Sequence, residues 1–477
     1  MKRENNIYVL GLIMMIASLF SCTDEKLDEI GENPNDPSEV PIALLMPQVG
    51  VDLAFGVSGT ELAWYSSVFV EHTTGVHGQL EDADKRAGIN SSMVNNTWNT
   101  IYADLLQDLS VLIERGSEEG AEEGAWNSVG IAKVIQAYAF GVATDAWGDI
   151  PFSEATFAIS NKQPAIESQE SVYTGLQSLL DEAIADLEKT SVVYHNANDF
   201  YYTGDSTKWI KAAYALKARY YNRLSKKDPI GSANSALAAI EEAFEDGDDN
   251  LVFSSFTTDA TGENPWFQEL NDRSHHAISE TLFDMITNLG DPRDTLWFGT
   301  VEGSVVPAPN GSAQTDQSGD IYSRAATESD PSTTDDFYLA ATSELPLITY
   351  DELKFIEAEA YLRLSNASDA YSAYLEAVEA ALERAGVDAS AITVYLGSSL
   401  VDVGEANLTL ETIITQKYIS FWLFQPLEAF NDYRRTGFPT LNNPDPAPAR
   451  FPYAQDELAS NPKLKLVSTN VPVWWAE

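Results

Sequence analysis

Cysteine is almost absent from this 477-residue chain, which contains only Cys22. One cysteine cannot form an intramolecular disulfide, a zinc site with four thiolate ligands or a CxxC redox pair. Hydrophobic residues make up 44% of the chain and aromatic residues 11%, which is enough for a substantial core. The length fits one large domain or two to three ordinary ones.

Basic residues are also scarce, because 28 Lys and Arg stand against 73 Asp and Glu, for a formal net charge of -45. This charge repels a polyanion and leaves few cations to displace counterions, so the composition argues strongly against nucleic acid as a partner. An acidic polysaccharide is disfavoured less strongly, since a local basic pocket can override the mean field. We expect a neutral ligand.

The N-terminus is typical of a lipoprotein leader. Lys2 and Arg3 precede an apolar run over residues 7–20, too short for a convincing membrane span, which ends in Leu-Phe-Ser-Cys and resembles a bacterial lipobox with Cys22 as the lipidated residue. We expect residues 1–21 to be a signal peptide and residues 22–41 an extended, proline-containing tether. Residues 42–477 are expected to form one domain with no further segment of spanning length. An ordinary secreted protein with a stray cysteine is the alternative.

Apolar residues spaced by three to four positions predict amphipathic helices through much of the chain. The predicted helices cover residues 93–112, 126–146, 170–189, 209–224, 233–244, 350–364 and 369–384. Thr349 and Glu352 have the spacing of a capping box at the start of one of them. The helices pair across short turns, which indicates a mainly α fold of TPR-like helical hairpins. On periodicity alone, an all-helical domain without repeats remains the alternative.

Two regions have few helix signals. Residues 51–90 include the run GVSGTELAWYSSVFVEHTTGVHG, and residues 251–345 are rich in Gly, Ser, Thr, Asp and Pro, with one short helix near residues 278–288. Irregular stretches this long inside a compact chain are uncommon and are usually functional. We expect both regions to belong to a loop-rich part that carries the ligand site.

Residues 409–439 predict a kinked helical hairpin with marked ends. Thr409 is a candidate N-cap, and Pro426 should end the first helix because it lacks a backbone donor. Arg434 and Arg435 lie in the last turn of the second helix, and Gly437 follows as a terminator. We interpret this stretch as scaffold rather than as a binding site.

The same stretch contains QKYISFW and RRTGFP, and other motifs precede them in order: DAWGDIPFSEA, WIKAAYALKARYYNRLS, NPWFQELNDR and ITYDELKFIEAEAYLRL. This ordered set resembles the SusD/RagB family of nutrient-binding outer-membrane lipoproteins. The acidic TDEK after the lipobox cysteine is similar to the signal that sends lipoproteins of Bacteroidota to the outer leaflet.

The resemblance implies a SusD-like fold, in which TPR-like helical hairpins pack against a loop-rich ligand-binding part. It also implies a cell-surface protein, held by an outer-membrane lipid anchor, that captures a glycan and passes it to a SusC-like TonB-dependent outer-membrane transporter. A lid of the same type of transporter that binds a peptide or another small nutrient is the alternative.

Aromatic side chains in the two irregular regions are the candidate ligand-binding residues, because aromatic faces stack on sugar rings and polar side chains bind the hydroxyls. We predict that the ligand site draws on Trp64, Tyr65, Trp266, Trp297, Tyr322, Asn264, Asp272 and Arg273. Glu357 and Glu359 are instead expected to form buried ion pairs with Arg219, Arg434 and Arg435.

No sequence context indicates catalysis or a metal centre. A glycosidase needs two opposed carboxylates, and no pair stands out among 73 acidic residues. His72 and His77 are off the helical zinc spacing, and the adjacent His275 and His276 cannot easily share one ion. We therefore predict a binding protein without enzyme activity, cofactor or metal site. Residues 246–250 begin like a calcium loop, but Leu251 replaces the required glycine, so calcium binding there stays an open alternative.

Overall fold

The computed structural model describes residues 40–156, 161–315, 321–329 and 338–477. The chain divides into two compact units, Met1–Pro41 and Ile42–Glu477. Nearly all of the first unit lies outside the described residues, and with it the predicted signal peptide, the lipidated Cys22 and the tether. The second unit contains the elements described below.

The second unit is mainly α-helical, as the periodicity predicts. Up to the middle of the chain the helices are α1 (Ile42–Asp52), α2 (Glu61–Phe69), α3 (Gly78–Asp84), α4 (Asn95–Asn99), α5 (Leu106–Gly116), α6 (Trp126–Trp147), α7 (Gln169–Leu187), α8 (Ser206–Arg223) and α9 (Pro229–Ile240). The later helices are α10 (Pro265–Asp272), α11 (Glu280–Leu289), α12 (Asp294–Trp297), α13 (Tyr350–Arg363), α14 (Ala367–Arg384), α15 (Ala389–Leu396), α16 (Leu410–Ser420), α17 (Pro426–Thr436) and α18 (Gln455–Ser460).

Four short strands form two antiparallel pairs. Strand β1 (Thr73–Gly75) pairs with β3 (His276–Ile278), and β2 (Leu251–Phe253) pairs with β4 (Leu345–Ile348). Each pair joins segments that are far apart in the sequence. The β1–β3 pair therefore fastens the region between α9 and α13 to the N-terminal part of the domain, whereas the β2–β4 pair joins the two ends of that region to each other.

The long helices pack in a row of TPR-like hairpins. Neighbours in space are α5 and α6, α6 and α7, α7 and α8, α8 and α9, α9 and α13, and α13 and α14. Because α13 packs directly on α9, the row continues across the roughly hundred-residue insertion between them. The insertion meets the segments on either side of α2, because β3 pairs with β1 and α10 contacts residues Leu53–Gly59.

Three of the predicted helix-end residues have the expected roles, but α16 ends six residues before Pro426. The side chain of Thr349 accepts a hydrogen bond from the Glu352 amide, and that of Thr409 accepts one from the amide three residues further on. Pro426 is the first residue of α17, where its missing N–H costs nothing. Gly437 follows α17 with φ of 80°, the left-handed conformation that ends many helices.

The prediction of an irregular segment over residues 51–90 is wrong. Helix α1 continues through a π-helical segment, Leu53–Gly59, into α2, and α3 follows β1. Most residues of this run are apolar or small, so it lacks the polar stripe that reveals a surface helix in a sequence. By length and composition alone, the run Ile42–Phe69 could cross a membrane, contrary to the prediction of no further segment of spanning length. Half of its most apolar window is buried inside the domain.

A network of buried charges crosses the helical part between α8, α13 and α17. The Arg219 guanidinium donates to both oxygens of Glu352, with N–O distances of 2.7 and 2.6 Å. Arg223 pairs with Glu428, and its Nη2 lies 3.3 Å from a carboxylate oxygen of Asp145 in α6. These side chains are buried, so removing one partner would leave an uncompensated charge in the core.

The predicted ion pairs are only partly right. Glu359 pairs with Arg435, as expected. Arg219 binds Glu352 instead of Glu357 or Glu359, and Glu357 pairs with a lysine, Lys354, one turn away on the same helix. Arg434 donates to the backbone carbonyls of Asp145 and Ala449 rather than to a carboxylate.

Candidate ligand-binding cleft

A cleft of about 650 Å³ opens where α2, the turn before α3, α4 and the segment from α10 to β3 meet. This volume lies in the range of ligand pockets in other proteins. The lining residues are Gly56, Thr60, Glu61, Trp64, Tyr65, His77, Gly78, Gln79, Leu80, Asn96, Thr97, Thr100, Glu269, Arg273 and His275. Aromatic rings, amides and hydroxyls dominate this surface, together with two carboxylates and one guanidinium.

Helix α2 forms one wall and presents Trp64 and Tyr65. Its first residue, Glu61, is fixed by α4, because its carboxylate accepts hydrogen bonds from the Asn96 side chain (2.6 Å), the Thr97 amide (3.0 Å) and the Thr97 hydroxyl (3.2 Å). The Tyr65 hydroxyl donates to Oε1 of Gln79 on the facing turn at 3.1 Å. The two aromatic residues are thus held at the cleft by a helix whose start cannot easily shift.

The indole N–H of Trp64 is buried and has no hydrogen-bond partner among the described residues, and the same is true of Nδ1 of His77. A buried donor without a partner costs free energy, since water solvates it in the unfolded chain. Both atoms are inaccessible to solvent in this structure, so a ligand in the cleft would reach them only after the side chains move.

The pairing of β1 with β3 builds the second wall. Gly75 lies opposite His276, and the Val76 amide donates to the His275 carbonyl at 2.9 Å, which brings the rings of His77 and His275 to 4.9 Å between centroids. Gly75 is required here, because a Cβ at this position would lie 1.9 Å from the Leu80 carbonyl oxygen. The close turn places Gln79 over the cleft.

Helix α10 contributes a charged edge. Asn264 caps this helix by accepting from the Trp266 amide at 2.9 Å, and the last turn carries Glu269 while Arg273 follows at the C-cap. Burial raises the pKa of Glu269 to about 7, although the nearby Arg273 opposes the shift. The Glu269 carboxyl thus titrates near neutral pH and can be either a donor or an acceptor toward a ligand.

The stretch 409–439 holds α2 in place from behind the cleft. The Tyr418 hydroxyl lies 2.9 Å from the carbonyls of Val70 and Glu71, just after α2, and Nε2 of His72 lies 2.8 Å from the Tyr418 carbonyl. Phe69 of α2 packs against Phe430 of α17. The stretch predicted to be scaffold therefore braces the helix that carries the cleft aromatics.

The structure brings three of the eight predicted site residues together in the cleft, namely Trp64, Tyr65 and Arg273. Trp266 and Trp297 are instead buried in the core, with 0% and 1% of their surface exposed. Trp266 packs edge-on against His276, and Trp297 packs against Trp422. Neither indole offers a face to a ligand in this structure, and we exclude both from the candidate site.

The remaining three predicted residues lie outside the cleft lining. Asn264 is buried as the cap of α10, and its side chain also donates to the Ser343 carbonyl. Asp272 is exposed near the cleft but does not line it. Tyr322 packs on a small apolar cluster that includes Val76 and Ala308, and its hydroxyl accepts from a backbone amide.

Sequence reasoning missed several residues of the cleft, namely Glu61, His77, Gln79, Asn96, Thr97, Glu269 and His275. His77 and His275 are about two hundred positions apart, and strands of three residues give no usable alternation in a sequence. Their proximity follows only from the register of β1 and β3. Among the described residues, no group of three or more His, Cys, Asp and Glu side chains is arranged to hold a metal ion.

A family model and the similar solved structures point to the same protein family. The model of the SusD-like family described as "Starch-binding associating with outer membrane" matches residues 34–454. A SusD/RagB family protein from Bacteroides thetaiotaomicron VPI-5482 is 30% identical, with 92% of this chain and 99% of that chain covered and a TM-score of 0.80. Comparison with curated protein sequences gives no match.

Two more distant structures share the fold. A SusD homologue from Bacteroides uniformis ATCC 8492 is 22% identical, covers 91% of this chain and 99% of its own, and has a TM-score of 0.73. A chitin-binding SusD homologue from Flavobacterium johnsoniae is 20% identical, covers 91% and 98%, and has a TM-score of 0.71.

Proposed function

The chain belongs to the SusD-like family, and from this premise we propose that it captures a neutral oligo- or polysaccharide in the cleft between α2, α3 and α10. The glycan then passes to a SusC-like TonB-dependent outer-membrane transporter. The role is binding without catalysis, in keeping with a family described by what it binds.

The observation that carries the proposal is the composition of the cleft. Trp64 and Tyr65 offer aromatic surface on one wall, while Gln79, Asn96 and Thr97 bring amides and a hydroxyl to the same space. A sugar presents C–H faces and hydroxyl edges, so it needs both kinds of contact at once.

The charge of the protein supports a neutral ligand. The net charge of the whole chain is -45, so a uronate or sulfated sugar would meet repulsion at long range. The cleft offers an anion a single guanidinium, Arg273, which lies 3.8 Å from Glu269.

The proposed place of the protein is the cell surface, with Cys22 as the lipid anchor and the segment up to Pro41 as a tether. The lipobox resemblance and the acidic residues after it support this placement. If the transporter is the partner, it should co-purify with this protein from detergent-solubilised outer membranes at near-equal amounts. Purification of the lipoprotein alone, under conditions that keep other membrane complexes intact, would contradict the handover.

Glycan capture is tested by affinity electrophoresis of the purified protein in native gels that contain starch, soluble chitin or other neutral polysaccharides. We expect retardation by at least one of them, and we expect Trp64→Ala to weaken the binding about tenfold or more. Tyr194→Ala is the matched control, because Tyr194 is 59% exposed and lies outside the cleft.

No retardation across a broad panel of neutral glycans would overturn the proposal. In that case, peptide binding measured by calorimetry and lost in the Trp64 variant would favour the alternative of a peptide-binding lid for the same type of transporter.

A further inference from the structure

A second cavity of about 220 Å³ adjoins the cleft. It is lined by Tyr65, Gln79, Asp82, Ala83, Ala87, Gly88, Ile89, Asn90 and Met93. Tyr65 and Gln79 line both spaces, so the two cavities lie on either side of one pair of side chains. The pair is joined by the hydrogen bond from the Tyr65 hydroxyl to Oε1 of Gln79.

The two residues that separate the cavities differ in burial: Tyr65 is packed in the core and Gln79 is exposed. Tyr65 is 5% exposed, and its ring stacks on Phe69 with 6.3 Å between centroids. Gln79 is exposed in the first turn of α3. A ligand that spans both cavities can therefore replace Gln79 as the hydrogen-bond partner of the Tyr65 hydroxyl. Only the exposed Gln79 side chain has to rotate, and the core stays unchanged.

The second cavity has the mixed chemistry of a sugar site. Met93 and Ala83 are buried and, with Ile89, form an apolar floor. The Asn90 side chain is already engaged, because Oδ1 accepts from the amide and hydroxyl of Ser92. The exposed carboxylate of Asp82 and the Gln79 amide are left as the polar groups of the rim.

The loop after α3, which includes Ala87 and Gly88, folds back to form one side of the second cavity. Gly88 has φ of +67°, and a Cβ there would lie 3.1 Å from the Asp82 side chain. The Ala87 amide donates to the Asp82 carbonyl at 2.8 Å, which folds the loop back over the end of α3. Ala87 itself is exposed and lines the second cavity but not the cleft.

We infer that the second cavity is a subsite for the sugar that continues the chain beyond the cleft, so that the ligand is an oligosaccharide or chain segment crossing the Tyr65–Gln79 pair. This inference rests on the proposed glycan binding and adds the length of ligand that the protein recognises. A ligand confined to the cleft would leave the apolar floor at Met93 and Ile89 in contact with water.

The test measures calorimetric affinity for two series of probes, maltooligosaccharides and chitooligosaccharides, each from the disaccharide to the hexasaccharide. Ala87→Phe fills the second cavity from its exposed rim. Ala389→Phe, at an exposed position of α15 outside both cavities, is the matched control. Thermal melts verify that both variants are folded.

For the series that the protein binds, we expect affinity to rise at least about tenfold with chain length. Ala87→Phe should abolish most of this rise and leave the affinity for the shortest bound member unchanged, while Ala389→Phe should leave the whole series unchanged. A rise that persists in Ala87→Phe, an equal loss at all lengths, or no rise in the unsubstituted protein would overturn the inference. Absence of binding to every glycan by the unsubstituted protein is a different result, which overturns the proposed function itself.

Discussion

Arg435 in α17 forms a bidentate ion pair with Glu359 in α13. Nη2 donates to one carboxylate oxygen at 2.7 Å and Nη1 donates to the other, and both side chains are buried. Burial alone would raise the pKa of Glu359, but Arg435 and Arg363 outweigh burial and hold the pKa below its usual value. The glutamate therefore stays charged in the core.

This pair should matter for stability more than an exposed one. We expect Glu359→Ala to lower the free energy of unfolding by about 3–5 kcal/mol, because Arg435 would be left buried and only partly paired. Chemical denaturation followed by circular dichroism measures the change. Glu242→Ala, at an exposed position after α9, should leave the midpoint nearly unchanged. A Glu359→Ala protein as stable as the parent would show that the pair carries no net stabilisation.

Trp266 should be needed for folding and not for ligand contact. Its side chain is fully buried, so Trp266→Ala is expected to cost about 3–5 kcal/mol through lost burial and the cavity left behind. Trp266→Phe, which keeps most of the apolar volume and removes an N–H without a partner, should cost clearly less. Unchanged stability with lost glycan retardation would instead place this residue at the ligand.

Glu269 should make stability depend on pH between about 4.5 and 7. Its pKa is raised from the ordinary value of 4.5 to about 7, mainly by burial, with Asp272 acting in the same direction and Arg273 against it. His275 lies 3.8 Å from the carboxylate as well. Because the folded protein holds this proton more tightly than the unfolded chain, the contribution is full below pH 4.5 and is lost as pH rises to 7.

The effect is at most about 3.5 kcal/mol, since a pKa difference of one is worth about 1.4 kcal/mol. The Glu269→Gln side chain does not titrate, so residue 269 no longer makes the free energy of unfolding depend on pH. This variant should therefore gain stability relative to the parent as pH rises from 4.5 to 7. Denaturation midpoints at several pH values measure the difference. Glu242→Gln is the control for loss of an exposed carboxylate, and parallel curves for the parent and Glu269→Gln would contradict the assignment.

Cys22→Ala should release the protein from the outer membrane. Without the cysteine no lipid can be attached, and we expect the protein to move from the membrane fraction to the soluble fraction on cell fractionation. Ser21→Ala keeps a small residue before the cysteine and should leave the protein in the membrane fraction. A membrane-bound Cys22→Ala protein would point to another mode of attachment.

Helices with a polar face and clear caps could be predicted from the sequence, and the stretch closed by Gly437 shows this well. The run Ile42–Phe69 could not, because its apolar composition carries no amphipathic stripe, and α3 is too short to show a repeating one. Polar surroundings singled out Trp64 and Tyr65, which do line the cleft, but also Trp266, which is buried. Burial in a region between elements depends on contacts that no local pattern records.

Helical geometry predicts which glutamates of α13 share a face, but not which arginines they bind. Glu352 and Glu359 are seven residues apart, so they share one face of α13, and both bind arginines from neighbouring helices. Glu357 points elsewhere and pairs with Lys354 on its own helix. The face was predictable from spacing, whereas the choice among the arginines needed the packing of α8 and α17.

The buried ion pairs also bear on when the chain can fold. Arg223 and Glu359 pair with Glu428 and Arg435, which lie in about the last tenth of the chain. A chain without this segment would lack these partners for buried charges, so its folded core is disfavoured. Stable folding should thus require the C-terminal segment. We expect a chain that ends before Pro426 to be cleaved in limited proteolysis under conditions in which the full chain resists.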